Sequence, residues 1–177
     1  MPTYETTDFA IIDATPDRVF RALTDEYAGR THWWTEVECK AVGDIPFGQV
    51  GAVCTSTVRN RGVARFKWRT AEIVEGQYIR FEYLEGDIAG YADLTLEPIG
   101  DKTRVEYRWR VRTRGTASII GPLLNIKKRH SEVMRSGFRK LNAYLASAAE
   151  PFGASEHQLL RDLRRERPPT PDGGGGR

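Results

Sequence analysis

The sequence predicts an α+β fold: a curved antiparallel sheet of seven strands packed against one long C-terminal helix, with two short helices after the first strand. Three observations predict it. Residues 36–113 alternate apolar and polar side chains with a period of two, interrupted at intervals by glycine-containing pairs. Residues 122–149 switch to a period of 3.6, and a short strand followed by a helix-entry signal precedes both regions.

Residues 4–12, YETTDFAII, read as the first strand. DATPDRVFRALTD follows, with Thr15 at an N-cap, Pro16 at the first helical position and Asp17 in the first turn. Proline's missing N–H costs nothing there, and a carboxylate favours the positive end of the aligned peptide dipoles. Val19, Phe20 and Leu23 then share one helical face. A second short helix is expected over EYAGRTHWW, residues 26–34, with Gly29 limiting its length. Six strands come next, TEVECKAV, GQVGAVCTSTVRN, GVARFKWRTAEIV, QYIRFEYLEG, IAGYADLTLEP and KTRVEYRWRVRT. Gly43-Asp44, Arg61-Gly62, Glu75-Gly76, Gly86-Asp87 and Gly100-Asp101 punctuate them, as in an antiparallel meander.

Alternate residues of a strand face opposite sides of a sheet, so parity sorts these side chains. Phe66, Trp68, Ile79, Phe81, Tyr83, Ala92, Leu94, Leu96, Val105, Tyr107, Trp109 and Val111 fall on one side. Arg65, Lys67, Arg69, Arg80, Glu82, Asp93, Glu97, Arg104, Glu106, Arg108, Arg110 and Arg112 fall on the other. The arginines of VEYRWRVRTRG therefore belong to a solvated face, with Asp93, Glu97 and Glu106 as expected cross-strand partners. The formal net charge of +3, from 27 Lys and Arg against 24 Asp and Glu, is small for a dedicated nucleic-acid binder. Only Tyr78 and Tyr91 offer rings on that face, too few for a base-stacking platform, so no nucleic-acid partner is expected.

In GPLLNIKKRHSEVMRSGFRKLNAYLASA, Pro122 stands near a helix start, and Leu123, Ile126, His130, Val133, Met134, Gly137, Leu141 and Leu145 form one stripe. An amphipathic helix and a sheet with one aromatic face each need the other as cover. One domain over residues 1–149 is expected, then a largely disordered Pro- and Gly-rich tail over 150–177 whose LLRDLRRER reads as a solvated, fraying helix. The start MPTYETTDFAIID lacks a basic segment ahead of an apolar run, and nowhere do 18 apolar residues follow one another. A cytoplasmic protein without stable membrane insertion, monomeric or homodimeric, is expected. Cys39 and Cys54 show no metal-ligand spacing and read as buried reduced thiols; neither a metal nor another cofactor is indicated.

Two stretches, FAIIDATPDRVFRALTD with its alanine-x-proline helix entry and PLLNIKKRHSEVMRSGFRKLNAYL at the end, resemble the START-like (SRPBCC) superfamily, in particular its polyketide cyclase/dehydrase branch. The resemblance covers about residues 4–149. It implies the helix-grip fold, with an apolar cavity between sheet and helix that holds a lipid, sterol, polyketide or aromatic ligand; members include carriers, sensors, aromatase/cyclases and co-chaperones. It hands over no catalytic residue.

The ligand-binding residues expected on this basis are Phe66, Trp68, Phe81, Tyr83, Tyr107 and Trp109 from the sheet and His130, Met134 and Gly137 from the helix. Trp33 and Trp34 of HWW are expected at the cavity mouth, although one buried and one surface-packed tryptophan is an equal alternative. Gly137 costs a helix interior about 1 kcal/mol relative to alanine, so it signals either free space or close packing. Histidine is the side-chain type whose charge changes near neutral pH, and His130 opposite Tyr83 or Tyr107 would polarise a ligand carbonyl or move a proton. Binding of a small hydrophobic ligand is the expected function. A metal-free polyketide cyclase/dehydratase-like enzyme acting in the same cavity is the alternative.

Overall fold

The computed structural model describes residues 3–114 and 125–148. Its elements are β1 (Thr3–Ile12), α1 (Pro16–Tyr27), β2 (Val37–Val42), β3 (Val53–Arg59), β4 (Val63–Val74), β5 (Tyr78–Gly86), β6 (Ile88–Ile99), β7 (Lys102–Thr113) and α2 (Ile126–Ser147). The seven strands form one antiparallel sheet in the order β1-β7-β6-β5-β4-β3-β2. The meander β2–β7 is thus closed by the first strand, which pairs with the last from Thr3↔Arg112 to Ile12↔Thr103. Leu123, placed on the helical stripe, and the tail 150–177 lie outside the described residues.

The inward parity set is buried throughout, from Ile79 and Val105 at 0% exposure to Tyr107 at 8%, with Phe66 half-buried at its rim. Against it α2 packs Val133, Met134, Phe138, Leu141 and Leu145. Each such side chain contributes about 1.5–3 kcal/mol on leaving water. At Gly90 in β6, a φ of 134° and the closeness of the Arg110 carbonyl leave no room for a β-carbon.

One expectation needs correction. The structure places a single helix, not two, between β1 and β2, and residues 31–34 carry no helix. Glu26 and Tyr27 are the last turn of α1, which Gly29 ends by turning left-handed at φ 72° while its N–H bonds the Glu26 carbonyl at 3.0 Å. The buried Glu26 carboxylate then accepts bonds from the Thr31 hydroxyl at 2.8 Å and from the Trp33 and Trp34 amides at 3.0 Å each. Backbone donors that a second helix would have used are committed to that side chain. At the other end of α1, Thr15 occupies the N-cap with extended backbone, but its hydroxyl makes no capping bond.

The outward arginines meet carboxylates: Asp93 and Glu97 are bonded across strands, whereas Glu106, expected as a cross-strand partner, takes Arg104 and Arg108 of its own strand β7. Arg104 bonds Glu97 and Glu106, Arg108 reaches Glu106, and Asp93 is taken by Arg80 and the Tyr78 hydroxyl. Arg110 pairs with Glu5 of β1, a partner that only the closing strand provides. Exposed pairs of this kind are worth about 0–1 kcal/mol each, so they decorate the sheet without holding it together. Cys39 and Cys54 are unpaired thiols. Burial pushes their pKa values up to about 12 and about 11, so both stay protonated at neutral pH. No helix among the described residues is long and apolar enough to cross a membrane.

Candidate functional site

Between the inward sheet face and α2 lies a cavity of ≈ 500 Å³. Tyr27 of α1, Trp68 of β4 and Phe81 of β5 form an edge-on cluster along it, with Trp68 and Phe81 centroids 4.9 Å apart at 83°. Phe66 of β4 meets Tyr83 of β5 edge to face across the strands, strand period puts Tyr107 and Trp109 on the same side of β7, and α2 contributes the consecutive Val133 and Met134.

Trp34, Phe66, Trp68, Phe81, Tyr83, Tyr107, Trp109, His130 and Met134 all line this cavity. Trp33 and Gly137 do not. Trp33 is half-buried on the far side of Trp34, stacked between it at 5.9 Å and Tyr144 at 6.3 Å. Gly137 lies directly under the Trp34 indole, so its smallness serves close packing rather than free space. The mouth also differs in place. Exposed lining residues are Arg61, Gly62 and Val63 of the β3–β4 turn, with half-buried Asp87 and Arg129 beside them, while Trp34 is buried at 5% exposure.

The cavity holds few polar groups. The Tyr83 and Tyr107 hydroxyls lie 3.2 Å apart. Burial pushes the Tyr83 phenol up to about 12 and the Tyr107 phenol well above its ordinary value, so both remain neutral hydrogen-bonding groups. The imidazole of His130 stacks on Trp109, 4.3 Å between centroids at 14°, and its Nδ1 is 3.2 Å from Asp8 Oδ2. Burial alone would raise the Asp8 pKa. Hydrogen bonds from His130 and Ser131 and the charges of His130 and Arg135 outweigh it and hold the carboxyl below its ordinary value. With Asp8 taking Nδ1–H, the ring's Nε2 is left as an acceptor, and among the described residues it has no hydrogen-bond partner.

Sequence reasoning missed Asp8, Tyr27 and the mouth arginines. Asp8 was recoverable, because it shares its parity with Thr6, Ala10 and the buried Ile12. Its exposed neighbours Phe9 and Ile11 hide that signal, being the more apolar residues of the strand yet facing outward.

The profile of the family described as "Polyketide cyclase / dehydrase and lipid transport" matches residues 3–146. The chain belongs to this family. Solved structures agree in fold with this family member. A protein designated TTHA0849 from Thermus thermophilus is 23% identical, with a TM-score of 0.68 over 83% of this chain and 100% of that one. The Zhui aromatase/cyclase from Streptomyces sp. R1128 is 12% identical, with a TM-score of 0.70 over 86% and 99%. A START superfamily protein from Mycobacterium smegmatis is 16% identical, with a TM-score of 0.67 over 82% and 99%. At these identities the likeness is one of fold, and it bears out the helix-grip architecture. Compared with curated protein sequences, the chain matches none.

Proposed function

We propose that this member of the polyketide cyclase/dehydrase and lipid transport family binds a small hydrophobic molecule, a lipid, polyketide or aromatic compound, between its sheet and α2. The observation that carries the reading is the ≈ 500 Å³ cavity walled by aromatic side chains from three strands, β4, β5 and β7, and by Met134, with few polar groups. Apolar surface moved from water into it gains about 25 cal/mol per Å². Mass spectrometry tests this: purified protein incubated with acyl lipids or polyketides should retain one of them, unchanged, through desalting. Passage of every such compound without retention would contradict carriage.

The Asp8–His130 pair beside the Tyr83 and Tyr107 hydroxyls favours a second reading, chemistry on the bound ligand of the cyclase type. His130 Nε2 would accept a proton from an enolisable or hydroxyl group, while a phenol steadies the oxygen on which negative charge gathers. The same incubation separates the two readings. Conversion of the ligand that falls about 10²- to 10⁴-fold in His130→Phe, with retention intact, marks an enzyme. Retention with no conversion marks a carrier.

A further inference from the structure

Resting on the binding reading, we propose that the ligand is an amphipathic acid whose carboxylate sits at the cavity mouth between Arg61 and Arg129. The charged side chains in the cavity lining are Arg61, Asp87 and Arg129. Asp87 is already used within the sheet, its Oδ2 accepting the Arg65 amide at 3.0 Å. Neither Arg61 nor Arg129 forms an ion pair with a carboxylate among the described residues, whereas most outward arginines of the sheet do. The segment 115–124, which precedes α2, contains no acidic residue in its sequence GTASIIGPLL.

The turn that carries Arg61 is joined to the start of α2 that carries Arg129. Arg61 holds a left-handed backbone at φ 52°, a conformation that a non-glycine residue adopts at some cost, in the tight turn closed by the Asn60 amide on the Gly62 carbonyl. The Asn60 side chain donates to the Arg129 carbonyl at 3.3 Å, tying that turn to the first turns of α2. Arg129 Nη1 then stands 3.6 Å from where a β-carbon on Gly62 would be. Two guanidiniums that line one mouth, neither in an ion pair with a carboxylate among the described residues, repel, and a single negative charge relieves them. Two arginines against one aspartate leave a net charge of one, which a carboxylate matches. Behind the mouth the cavity walls are mostly apolar, with Ser56, Thr113, His130 and tyrosine hydroxyls as scattered polar groups, so the remainder of the ligand is mainly hydrocarbon or aromatic.

Calorimetric titration with dodecanoate and with dodecanol, probes of the same chain and different head group, tests the proposal. The acid should bind about tenfold or more tightly than the alcohol, because a charge-assisted hydrogen bond is worth about 1.5–3 kcal/mol. Arg61→Gln and Arg129→Gln should each lose about tenfold in affinity for dodecanoate and leave dodecanol within about twofold. Added salt should weaken the acid alone. Equal binding of acid and alcohol, indifferent to both substitutions, would overturn the head-group assignment and leave hydrophobic binding standing. If neither probe binds, hydrophobic binding fails and the head-group proposal fails with it.

Discussion

At Gly137 a β-carbon would stand 2.6 Å from Trp34 Cε2 and 2.7 Å from Cζ2, too close for either atom. Alanine would gain about 1 kcal/mol in helix propensity but would force the indole, held between α2 and Trp33, out of place. Overpacking of this kind costs about 1–3 kcal/mol, so it should win: Gly137→Ala is expected to lower the melting temperature and shift tryptophan emission. A more stable variant would show the indole to be mobile. Asp8 gives a pH-dependent expectation. Its pKa is lowered in the fold below the ordinary 3.8, so the unfolded chain binds more protons as the pH falls past that value. The stabilisation it provides is complete above about pH 4 and is lost as pH drops through the lowered folded value. Asp8→Asn should therefore be less stable than the natural protein near neutrality, by about 1–2 kcal/mol for the hydrogen bonds lost, with the gap closing as the pH falls through the lowered folded value. Denaturant titrations at neutral and at acid pH measure it; an unchanged gap would contradict stabilisation of the Asp8 carboxylate by its hydrogen bonds to His130 and Ser131.

Strand β7 and helix α2 show how far an element can be read from sequence. In β7, period two places Val105, Tyr107, Trp109 and Val111 inward and the arginines outward, and the structure keeps that division at every position. Replacing Arg108, Arg110 and Arg112 by glutamine should leave ligand affinity within about 0.5 kcal/mol, since their faces are turned from the cavity. Tight, salt-sensitive DNA or RNA binding by the natural protein that disappears in the triple variant would reverse the reading of this face. In α2 the stripe was legible except for Phe138, and the roles of its members were not. Gly137 fits both open space and close contact until Trp34 is placed against it. The 26–34 stretch misled for a related reason: local pattern favours a helix there, and the competing bonds to Glu26 depend on where the chain returns seven and eight residues later. Edge strand β1 hid Asp8 because apolar Phe9 and Ile11 face outward, reversing the usual meaning of its alternation.

For the whole molecule, the order of elements and the sheet's inward face were legible because they follow from period and turn chemistry. The cavity was legible only as an expectation. Whether twelve inward side chains fill their space or surround some depends on the sheet's curvature and on the distance of α2, which no single residue encodes. The position of the mouth depends on two turns meeting one helix start, and so it escaped sequence reading. The central claim is that this space takes up an apolar ligand. Tryptophan quenching by a brominated acyl chain tests it most directly, because bromine quenches an indole only on contact and Trp34, Trp68 and Trp109 line the cavity while Trp33 does not. Titration with bromododecanoate should give saturable quenching that persists in Trp33→Phe, diminishes in Trp109→Phe and is reversed by excess dodecanoate. Quenching that never saturates, or that vanishes with Trp33 and not with Trp109, would contradict occupation of the cavity.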